Sequence, residues 1–353
     1  MTTQELTDAP CAGPDRPTTS RAFHLDPRHE PDGLGLGTRP QPTPGPGQIL
    51  VRARAASLNR RDLMLMDGSY PLPATPGVVP LADGVGEVVA VGPGAIRAAV
   101  GDRVTSTYFQ RWIAGPQRLE HVREQYGANH DGWLADYVLL EDESVVQVPE
   151  HLTDAEAACL SCAGVVAWAA VTKPDPPTPA ETVLTVGTGP VALFAVQFAR
   201  LHGARVVSIT SSADKVRRLL ALGADEAIDR SRTPDWGRAV RELTHGDGVE
   251  HVIDAVGLST LPQSAAAAAF NARVTLIGAF PAGEPVTDPF FGNYVSIRRI
   301  AVGSRTDFEA MNAALAAHRL RPVIDRRFPF DQAAAAYRYY RDGNPFGKVV
   351  IGI

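Results

Sequence analysis

Three things are scarce in this 353-residue chain, and each scarcity excludes a class of protein. Cysteine occurs only at Cys11, Cys159 and Cys162, so no disulfide framework is predicted and a reducing compartment is expected. Charge of one sign is not in large excess, since the net charge is −5 and the pI is near 6.0. This gives no reason to expect nucleic acid or an anionic membrane surface as a partner. No apolar run reaches the roughly 18 residues that span a bilayer, so we expect a soluble, cytoplasmic protein.

The N-terminal residues lack the basic region and the apolar region of a signal peptide. Residues 1–20 are polar and contain several prolines, a composition that predicts a disordered tail. The rest of the chain has a globular composition, because 44% of all residues are hydrophobic and 21% are charged. Its length is sufficient for about two domains of ordinary size.

Two kinds of hydrophobic pattern follow one another along the chain. Residues 21–150 contain short alternating segments broken by Gly and Pro, which predict an all-β unit, with a long loop over residues 110–132. Residues 151–304 begin with a helical, Ala-rich segment and then alternate strands with helices, which predicts a parallel sheet. Residues 305–353 contain two helical patterns and a final strand. We expect this last part to return to the first unit.

A G-x-G-x-x-A motif lies between a predicted strand and a predicted helix. Gly187 permits a tight turn, Gly189 lets the backbone approach a pyrophosphate, and the small Ala192 allows close packing of helix on sheet. Pro190 suits the first helical position, where free N–H groups and the helix dipole favour an anion. The alternative is a Gly-rich helix entry without a ligand. We predict a dinucleotide-binding loop made of Gly187, Thr188, Gly189, Pro190 and Val191.

The end of the next predicted strand indicates which dinucleotide is bound. An acidic residue there would bind the ribose 2′-hydroxyl of NAD, but no Asp or Glu occurs between Gly187 and Asp214. The segment instead offers hydroxyl groups and one cation for a 2′-phosphate, and these are Thr210, Ser211, Ser212 and Lys215. The sequence therefore favours NADPH, although the same hydroxyls are also typical of a helix cap.

The motifs of residues 21–353, taken in order, resemble the medium-chain dehydrogenase/reductase superfamily. They are SLNRRDL, PLADGVGEVVAVGPG, GDRV, SCAGVVAW, GTGPVALFAVQFA, LGADEAID and FGKVVI. The resemblance implies an α/β fold with a GroES-like β-barrel catalytic domain over residues 21–150 and 305–353. It also implies a doubly wound Rossmann cofactor domain over residues 151–304, with the active site in the cleft between the domains.

The same resemblance implies further contacts and an assembly. The implied cofactor contacts are Ala255, Val256, Ile277, Gly278, Val302, Gly303, Ser304, Arg305 and Lys348. A small molecule is the implied substrate. Relatives pair their sheets through an edge strand that ARVTLIGAF (residues 272–280) resembles, so a homodimer is expected.

The places of the zinc ligands separate two branches of this superfamily. In its zinc-dependent alcohol dehydrogenases three places hold Cys, a His-Glu pair and Cys, and the matching residues here are Asn59, then Ala82 and Asp83, then Cys162. A catalytic zinc needs three protein ligands and an open position. The structural-zinc loop is also missing, since residues 107–132 contain no cysteine. We therefore expect no metal and a resemblance to the zinc-independent branch, which includes quinone oxidoreductases and enoyl reductases.

Without zinc, another group must stabilise an oxyanion or protonate the product. Tyr70 matches a tyrosine that resembles the proton donor of the enoyl-reductase branch, and its phenol is suited to donate to a carbonyl oxygen or the carbon beside it. The alternative for Tyr70 is a half-buried aromatic in a Pro-rich turn. Asn59 offers amide donors to the substrate or the nicotinamide ribose, or else caps the following turn. Arg60 and Arg61 are expected to face solvent or to pair with Asp62.

Aromatic residues flank the long loop and are suited to wall an apolar pocket, although barrel packing would also explain them. They are Tyr108, Phe109, Trp112 and Trp133. The sequence thus predicts a zinc-independent NADPH-dependent oxidoreductase that transfers hydride to an α,β-unsaturated carbonyl or a quinone, with polyketide tailoring as one setting. The alternatives are a zinc-free alcohol dehydrogenase or carbonyl reductase, and an NADPH-binding sensor or crystallin without turnover.

Overall fold

A computed structural model describes residues 19–26, 33–278 and 294–353. It confirms the predicted α/β class, with a mainly antiparallel β domain and a doubly wound parallel-sheet domain. Most of the predicted tail and the last two residues of ARVTLIGAF lie outside the described residues. Thr19 and Ser20 belong to the first strand, so regular structure begins before the predicted boundary at residue 20.

The described strands are β1 (Thr19–Leu25), β2 (Leu34–Pro40), β3 (Gln48–Ser57), β4 (Asp83–Val91), β5 (Arg103–Ser106), β6 (Tyr137–Glu141), β7 (Val145–Gln147), β8 (Thr182–Val186), β9 (Arg205–Thr210), β10 (Glu226–Asp229), β11 (Val249–Asp254), β12 (Ala268–Ile277), β13 (Ser296–Ile300), β14 (Ile324–Pro329) and β15 (Lys348–Gly352). The described helices are α1 (Arg60–Met66), α2 (Leu119–Val122), α3 (Asp154–Ala157), α4 (Val165–Thr172), α5 (Pro190–Leu201), α6 (Ala213–Leu222), α7 (Trp236–Leu243), α8 (Leu261–Ala267), α9 (Arg305–His318) and α10 (Ala333–Asp342). A π-helical turn, Leu160–Gly164, precedes α4. Within the described ranges, no helix has both the length and the apolar composition of a membrane span.

The first domain is built on a seven-stranded sheet. Its order is β14-β15-β3-β4-β5-β7, and β6 also pairs with β3. The C-terminal strand β15 runs antiparallel to β3, with Val350 opposite Ser57, so the end of the chain returns to the first domain as expected. The boundaries at residues 150 and 304 stay predictions.

The second domain contains a six-stranded parallel sheet of order β10-β9-β8-β11-β12-β13. The chain order reverses between β8 and β11, and in such sheets a dinucleotide binds at the carboxyl ends of the strands on either side. The expectation that ARVTLIGAF forms an edge is wrong, because β12 lies between β11 and β13. Among the described strands the edge is β13, a five-residue strand with two arginines. Its short charged pattern gives a weak strand signal.

One hydrophobic cluster joins the two domains. It contains Tyr108 and Phe109 from the first domain together with Phe194 and Phe198 of α5 and Met311 of α9. Full burial of a large apolar side chain contributes about 1.5–3 kcal/mol, so this shared core fixes the two domains against each other. The cavity described next lies beside it.

Candidate active site

A cavity of about 1020 Å³ is lined by residues of both domains. On the cofactor-domain side it meets the carboxyl ends of β8, β9, β11, β12 and β13. On the other side it meets the start of α1, the turn after α1, the segment after β5 and the π-helical turn. The active site was predicted to lie in a cleft between the domains, and this cavity is such a cleft.

The predicted dinucleotide loop has the backbone geometry of a phosphate-binding turn. Strand β8 is buried along its length and leads into Gly187, whose φ of 106° is favourable only for glycine. Gly189 precedes Pro190 at the first position of α5, and a Cβ built on Gly189 meets no atom within 4 Å. The loop residues 187–191 all line the cavity. The start of α5 therefore offers free N–H groups and a positive dipole end to a phosphate.

Five of the implied cofactor contacts also line the cavity, namely Ala255, Val256, Ile277, Gly278 and Val302. The turn after β11 is held by the buried Asp254 carboxylate, which accepts the N–H groups of Val256 (2.9 Å) and Gly257 (3.0 Å) and the hydroxyl of Thr260. This turn is thus rigid before any ligand binds.

Three implied cofactor contacts lie elsewhere, because the chain turns away from the cavity after Val302 to start α9. Ser304 caps that helix and exchanges hydrogen bonds with Asp307. The Arg305 guanidinium pairs with Glu143, and Gly303 packs between neighbouring side chains of the protein. None of Gly303, Ser304 and Arg305 lines the cavity, so their assignment as cofactor contacts was wrong.

Lys348 was also wrong as a cofactor contact, since it is 0% exposed. Its ammonium donates to Leu58 O (3.0 Å), Asn59 Oδ1 (2.9 Å) and Asp83 Oδ2 (2.8 Å), which uses all three of its protons. Burial alone would lower the pKa of Lys348, but the Asp83 carboxylate raises it above its usual value. A charged lysine therefore braces Asn59 from within the protein.

The residues at the three zinc-ligand places do not fit a catalytic zinc. Asn59 Oδ1 and Asp83 Oδ2 already accept protons of the Lys348 ammonium. Burial raises the pKa of the Cys162 thiol, whereas the thiolate is the ligand form. In the part of the chain that the structure describes, no group of three or more His, Cys, Asp or Glu side chains is placed to hold a metal ion.

The SLNRRDL motif forms the start of helix α1. The Asn59 N–H donates to Asp62 Oδ2 at 2.7 Å, so Asn59 sits at the capping position that the sequence left open. Arg60 is exposed, as expected. Arg61 is not, because it is 4% exposed and lines the cavity. Its guanidinium lies 3.5 Å from Asp62 and donates to Gln125 Oε1 (3.1 Å) and Tyr126 O (2.5 Å).

Tyr70 lines the same cavity as the dinucleotide loop and Asn59. Its hydroxyl lies 3.0 Å from the Tyr108 hydroxyl and 3.1 Å from Gln125 Oε1. Arg61 lies beneath both rings, with its guanidinium carbon 5.8 Å from the Tyr70 centroid and 4.7 Å from the Tyr108 centroid. The tyrosine is therefore half-buried, but it belongs to a polar network at the cavity wall.

Only two of the four aromatic residues proposed for the substrate pocket line the cavity, Tyr108 and Phe109. Trp133 is 0% exposed, and its indole N–H donates to Ser106 Oγ at 2.9 Å. Trp112 packs in the shared core and donates to Gly115 O. Trp133 packs the core of the β domain and Trp112 the core shared by the two domains, so their assignment to the pocket was wrong.

Only two of the four residues that were expected to bind a 2′-phosphate line the cavity. Thr210 and Ser211 line the cavity, whereas Ser212 stands at the start of α6 and does not. Lys215 does not line it either, because its ammonium donates to the backbone and side-chain oxygens of Asn344, each at 2.9 Å. The structure thus places Ser212 outside the cavity wall and binds Lys215 to Asn344, so their contact with a 2′-phosphate stays a prediction.

Several cavity residues were not predicted from the sequence. Arg230 follows β10, and its N–H donates to Thr210 O at 2.8 Å, which places it beside the end of β9. Strand pairing gives the signal that would have found it, since Asp229 is opposite Thr210. Other residues missed include the polar side chains of Gln125, Arg299, Tyr340, Arg341 and Asn344.

Two family models match the chain. Residues 45–150 match the alcohol dehydrogenase GroES-like domain, and residues 190–317 match the zinc-binding dehydrogenase family. The second match begins at Pro190, within the dinucleotide loop, and includes five of the six strands of the parallel sheet.

Curated relatives align along most of their length. A zinc-type alcohol dehydrogenase-like protein of Schizosaccharomyces pombe is 37% identical over 314 residues, covering 86% of this chain and 90% of that one. An acryloyl-coenzyme A reductase of Metallosphaera sedula is 27% identical over 315 residues, covering 86% and 91%.

Solved structures are also similar to this chain along nearly all of their length. A putative alcohol dehydrogenase from Sinorhizobium meliloti 1021 is similar with a TM-score of 0.89 and 36% identity, covering 96% of this chain and 100% of that one. An NAD-dependent alcohol dehydrogenase is similar with a TM-score of 0.85 and 31% identity, covering 94% and 99%. A mycobacterial protein complexed with NADPH is similar with a TM-score of 0.77 and 28% identity, covering 95% and 100%.

Proposed function

Because this chain belongs to the medium-chain dehydrogenase/reductase superfamily, we propose that it is a zinc-independent, NADPH-dependent reductase of α,β-unsaturated carbonyl compounds or quinones. The observation that carries this proposal is the lining of one cavity by both the dinucleotide loop and Tyr70. A proton donor and a hydride carrier at one substrate are the two requirements of such a reduction.

The proposal that the reaction needs no zinc rests on the residues found at the zinc-ligand places. The relative from Schizosaccharomyces pombe is named zinc-type, but here the Lys348 ammonium is bonded to Asn59 Oδ1 and Asp83 Oδ2. Two buried cations, Arg61 and Lys348, face two buried anions, Asp62 and Asp83. A divalent cation would upset this balance in a region of low dielectric.

Bound NADPH supplies the hydride of the reduction. The N–H groups of residues 187–191 would hold its pyrophosphate, and Ala255, Ile277 and Val302 would bound the nicotinamide end of the cavity. Tyr70 supplies a proton to the reduced substrate from the cavity wall. Asn59 Nδ2 is buried and has no partner within the described residues, so it is the group that we assign to a substrate or ribose oxygen. Tyr108 and Phe109 would contact the apolar part of the substrate.

Preference for NADPH rests on the residues around the end of β9. Thr210 and Ser211 offer hydroxyls, and the Thr210 hydroxyl has no partner within the described residues. The exposed Arg230 adds a guanidinium at the same cavity edge, and Arg is well suited to bind a phosphate. The NADPH-bound neighbour supports this choice, while the NAD-dependent neighbour makes NADH the alternative.

A second candidate reaction is zinc-free reduction of aldehydes or ketones, or alcohol oxidation. The names of the relatives favour it, since the S. pombe relative and two of the solved structures are called alcohol dehydrogenases or alcohol dehydrogenase-like. The acryloyl-coenzyme A reductase favours reduction of an activated alkene. In the direction of reduction the Tyr70 hydroxyl serves either reaction, because an enolate and an alkoxide each accept one proton.

We further propose a homodimer in the cytoplasm. The edge strand β13 and its neighbours expose Phe270, Tyr294 and Ile297, by 65%, 72% and 39%, and an exposed edge of this kind favours pairing with a second copy. Light scattering behind size exclusion would give the mass of a dimer. A monomeric mass at micromolar concentration would contradict the assembly.

The test of the reaction is the consumption of NADPH, followed by its absorbance, with a panel of enones, quinones, aldehydes and ketones. Metal content is measured on the same sample. We expect turnover with enones or quinones, preference for NADPH over NADH, and less than stoichiometric zinc. Turnover with carbonyl compounds alone would favour the second candidate, and stoichiometric zinc required for activity would overturn the mechanism.

A further inference from the structure

We propose that Tyr108 relays a proton to Tyr70 and that Arg61 stabilises the charge left behind. This inference rests on the proposed function, in which Tyr70 donates a proton to the reduced substrate. Tyr108 and Arg61 act through Tyr70 and are positioning residues. All three side chains, together with Gln125, line the cavity.

The direction of the hydrogen bonds follows from the chemistry of the groups. The Gln125 amide is oriented by two partners, because its Nε2 donates to Val122 O (2.7 Å) and its Oε1 accepts from Arg61 (3.1 Å). Arginine has no acceptor and a carbonyl has no donor, so Oε1 must be the atom that faces Tyr70. Tyr70 therefore donates its single proton to Gln125 Oε1. The proton between the two tyrosines then belongs to Tyr108.

This chain of donors explains why a second tyrosine is needed. When Tyr70 turns its hydroxyl to the substrate and loses the proton, its oxygen faces the Gln125 carbonyl oxygen across 3.1 Å. Two acceptors at this distance repel, so a lasting charge on Tyr70 is unfavourable. Tyr108 lies 3.0 Å away with its proton already directed at the Tyr70 oxygen.

Arg61 lies closer to Tyr108 than to Tyr70 and is placed to offset the cost of a transient charge on Tyr108. Its guanidinium carbon is 4.7 Å from the Tyr108 ring and 5.8 Å from the Tyr70 ring. The cation is 4% exposed and is fixed by bonds to Gln125 and Tyr126, so it is little screened by solvent. Burial raises the pKa of Tyr108 although Arg61 lowers it. Tyr108 thus holds its proton until Tyr70 requires it.

The step balances in protons and electrons. Hydride addition to the β-carbon leaves an enolate, and the Tyr70 O–H bond then breaks as its proton forms a C–H bond at the α-carbon. The Tyr108 O–H bond breaks and its proton binds the Tyr70 oxygen. The electron pair stays on the Tyr108 oxygen beside Arg61, and a proton taken up from the solvent then restores Tyr108. One hydride and one proton are consumed for each substrate.

The experiment is a proton inventory, in which kcat with NADPH and a reducible enone is measured in mixtures of H₂O and D₂O. We expect a bowed dependence on deuterium fraction for the wild type, because two protons move together. In Tyr108→Phe we expect a linear dependence and a fall in kcat of about 10- to 100-fold, at the lower end of acid–base effects. The KM for NADPH is expected to stay the same.

Tyr126→Phe is the matched control, since it also removes a buried tyrosine hydroxyl, which bonds to Ser144 and Gln110 away from the cavity. It is expected to keep the bowed dependence and the rate. The double variant Tyr70→Phe/Tyr108→Phe tests the pathway, because removing Tyr108 is expected to cost nothing further once Tyr70 is gone.

Three results would overturn the relay. They are a linear inventory in the wild type, an unchanged rate and bowed inventory in Tyr108→Phe, and additive losses in the double variant. If Tyr108→Phe fails to fold, the proton inventory of the wild type decides by itself, since a bowed dependence supports the relay and a linear one overturns it. Absence of NADPH turnover by the wild type would instead count against the proposed function.

Discussion

The two sides of the cavity are built from different parts of the chain. The cofactor side is made mostly of backbone, with glycines and small residues at the carboxyl ends of parallel strands, as at Gly187 and Gly189. The side that carries Asn59 is made of long polar side chains, Arg61, Tyr70 and Gln125 among them. A backbone site is fixed by strand geometry, whereas a side-chain site depends on each buried partner being present. The two sides should therefore respond differently to mutation.

The largest expected effect is a loss of unfolding free energy, and it concerns the side of the cavity that carries Asn59. Lys348→Met removes a buried cation and leaves the Asp83 carboxylate uncompensated, which costs about 3–5 kcal/mol for a buried pair. The measurement is chemical denaturation. Lys173→Met is the matched control, since its pair with Asp307 is half exposed on the lysine side and is worth about 0–1 kcal/mol. Equal losses of unfolding free energy in the two variants would show that the buried ion pair contributes no more to stability than the half-exposed pair.

The second effect is on the rate. Tyr70→Phe keeps the ring and removes the proposed donor, so we expect kcat to fall by about 100-fold while NADPH affinity is unchanged. Stopped-flow traces of NADPH oxidation and a binding titration measure the two quantities. A rate within twofold or so of the wild type would remove Tyr70 from the chemistry and leave it a packing residue.

The third effect is on the backbone wall. A Cβ on Gly189 meets no protein atom within 4 Å, and its φ of −73° is open to any residue, so Gly189→Val should fold normally. Its side chain would occupy the space that a pyrophosphate approaches, and loss of charge-assisted bonds at about 1.5–3 kcal/mol predicts about 10- to 100-fold weaker binding. Isothermal titration with NADPH checks this, beside the melting temperature. Unchanged affinity would place the pyrophosphate elsewhere.

The smallest expected effect concerns the cofactor's 2′-phosphate. Arg230→Ala should weaken NADPH binding by about 10-fold and leave NADH binding unchanged, since one charged hydrogen bond is lost. Lys215→Ala is the control, because that ammonium is bonded to Asn344 and should not distinguish the two cofactors. The reverse result, with Lys215 selective and Arg230 neutral, would restore the assignment made from the sequence.

The same contrast explains how much could be predicted from the sequence. The strand–loop–helix unit around Gly187 is local, and its pattern lies within a short stretch of sequence, so strand, loop and helix were all predicted. The surroundings of Lys348 are not local, since its ammonium bonds to Leu58, 290 positions away. The burial of Arg61 likewise depends on Gln125 and Tyr126, which lie on a loop without a periodic pattern. Such contacts are set by the tertiary fold, and no local pattern reports them.

The most direct measurement of the central claim is the rate of NADPH oxidation with an enone, taken before and after removal of metal ions by a strong chelator. A zinc-independent reduction, with protonation by Tyr70, predicts the same rate in both samples and no gain when zinc is added back. A rate that is lost on chelation and restored by stoichiometric zinc would contradict it.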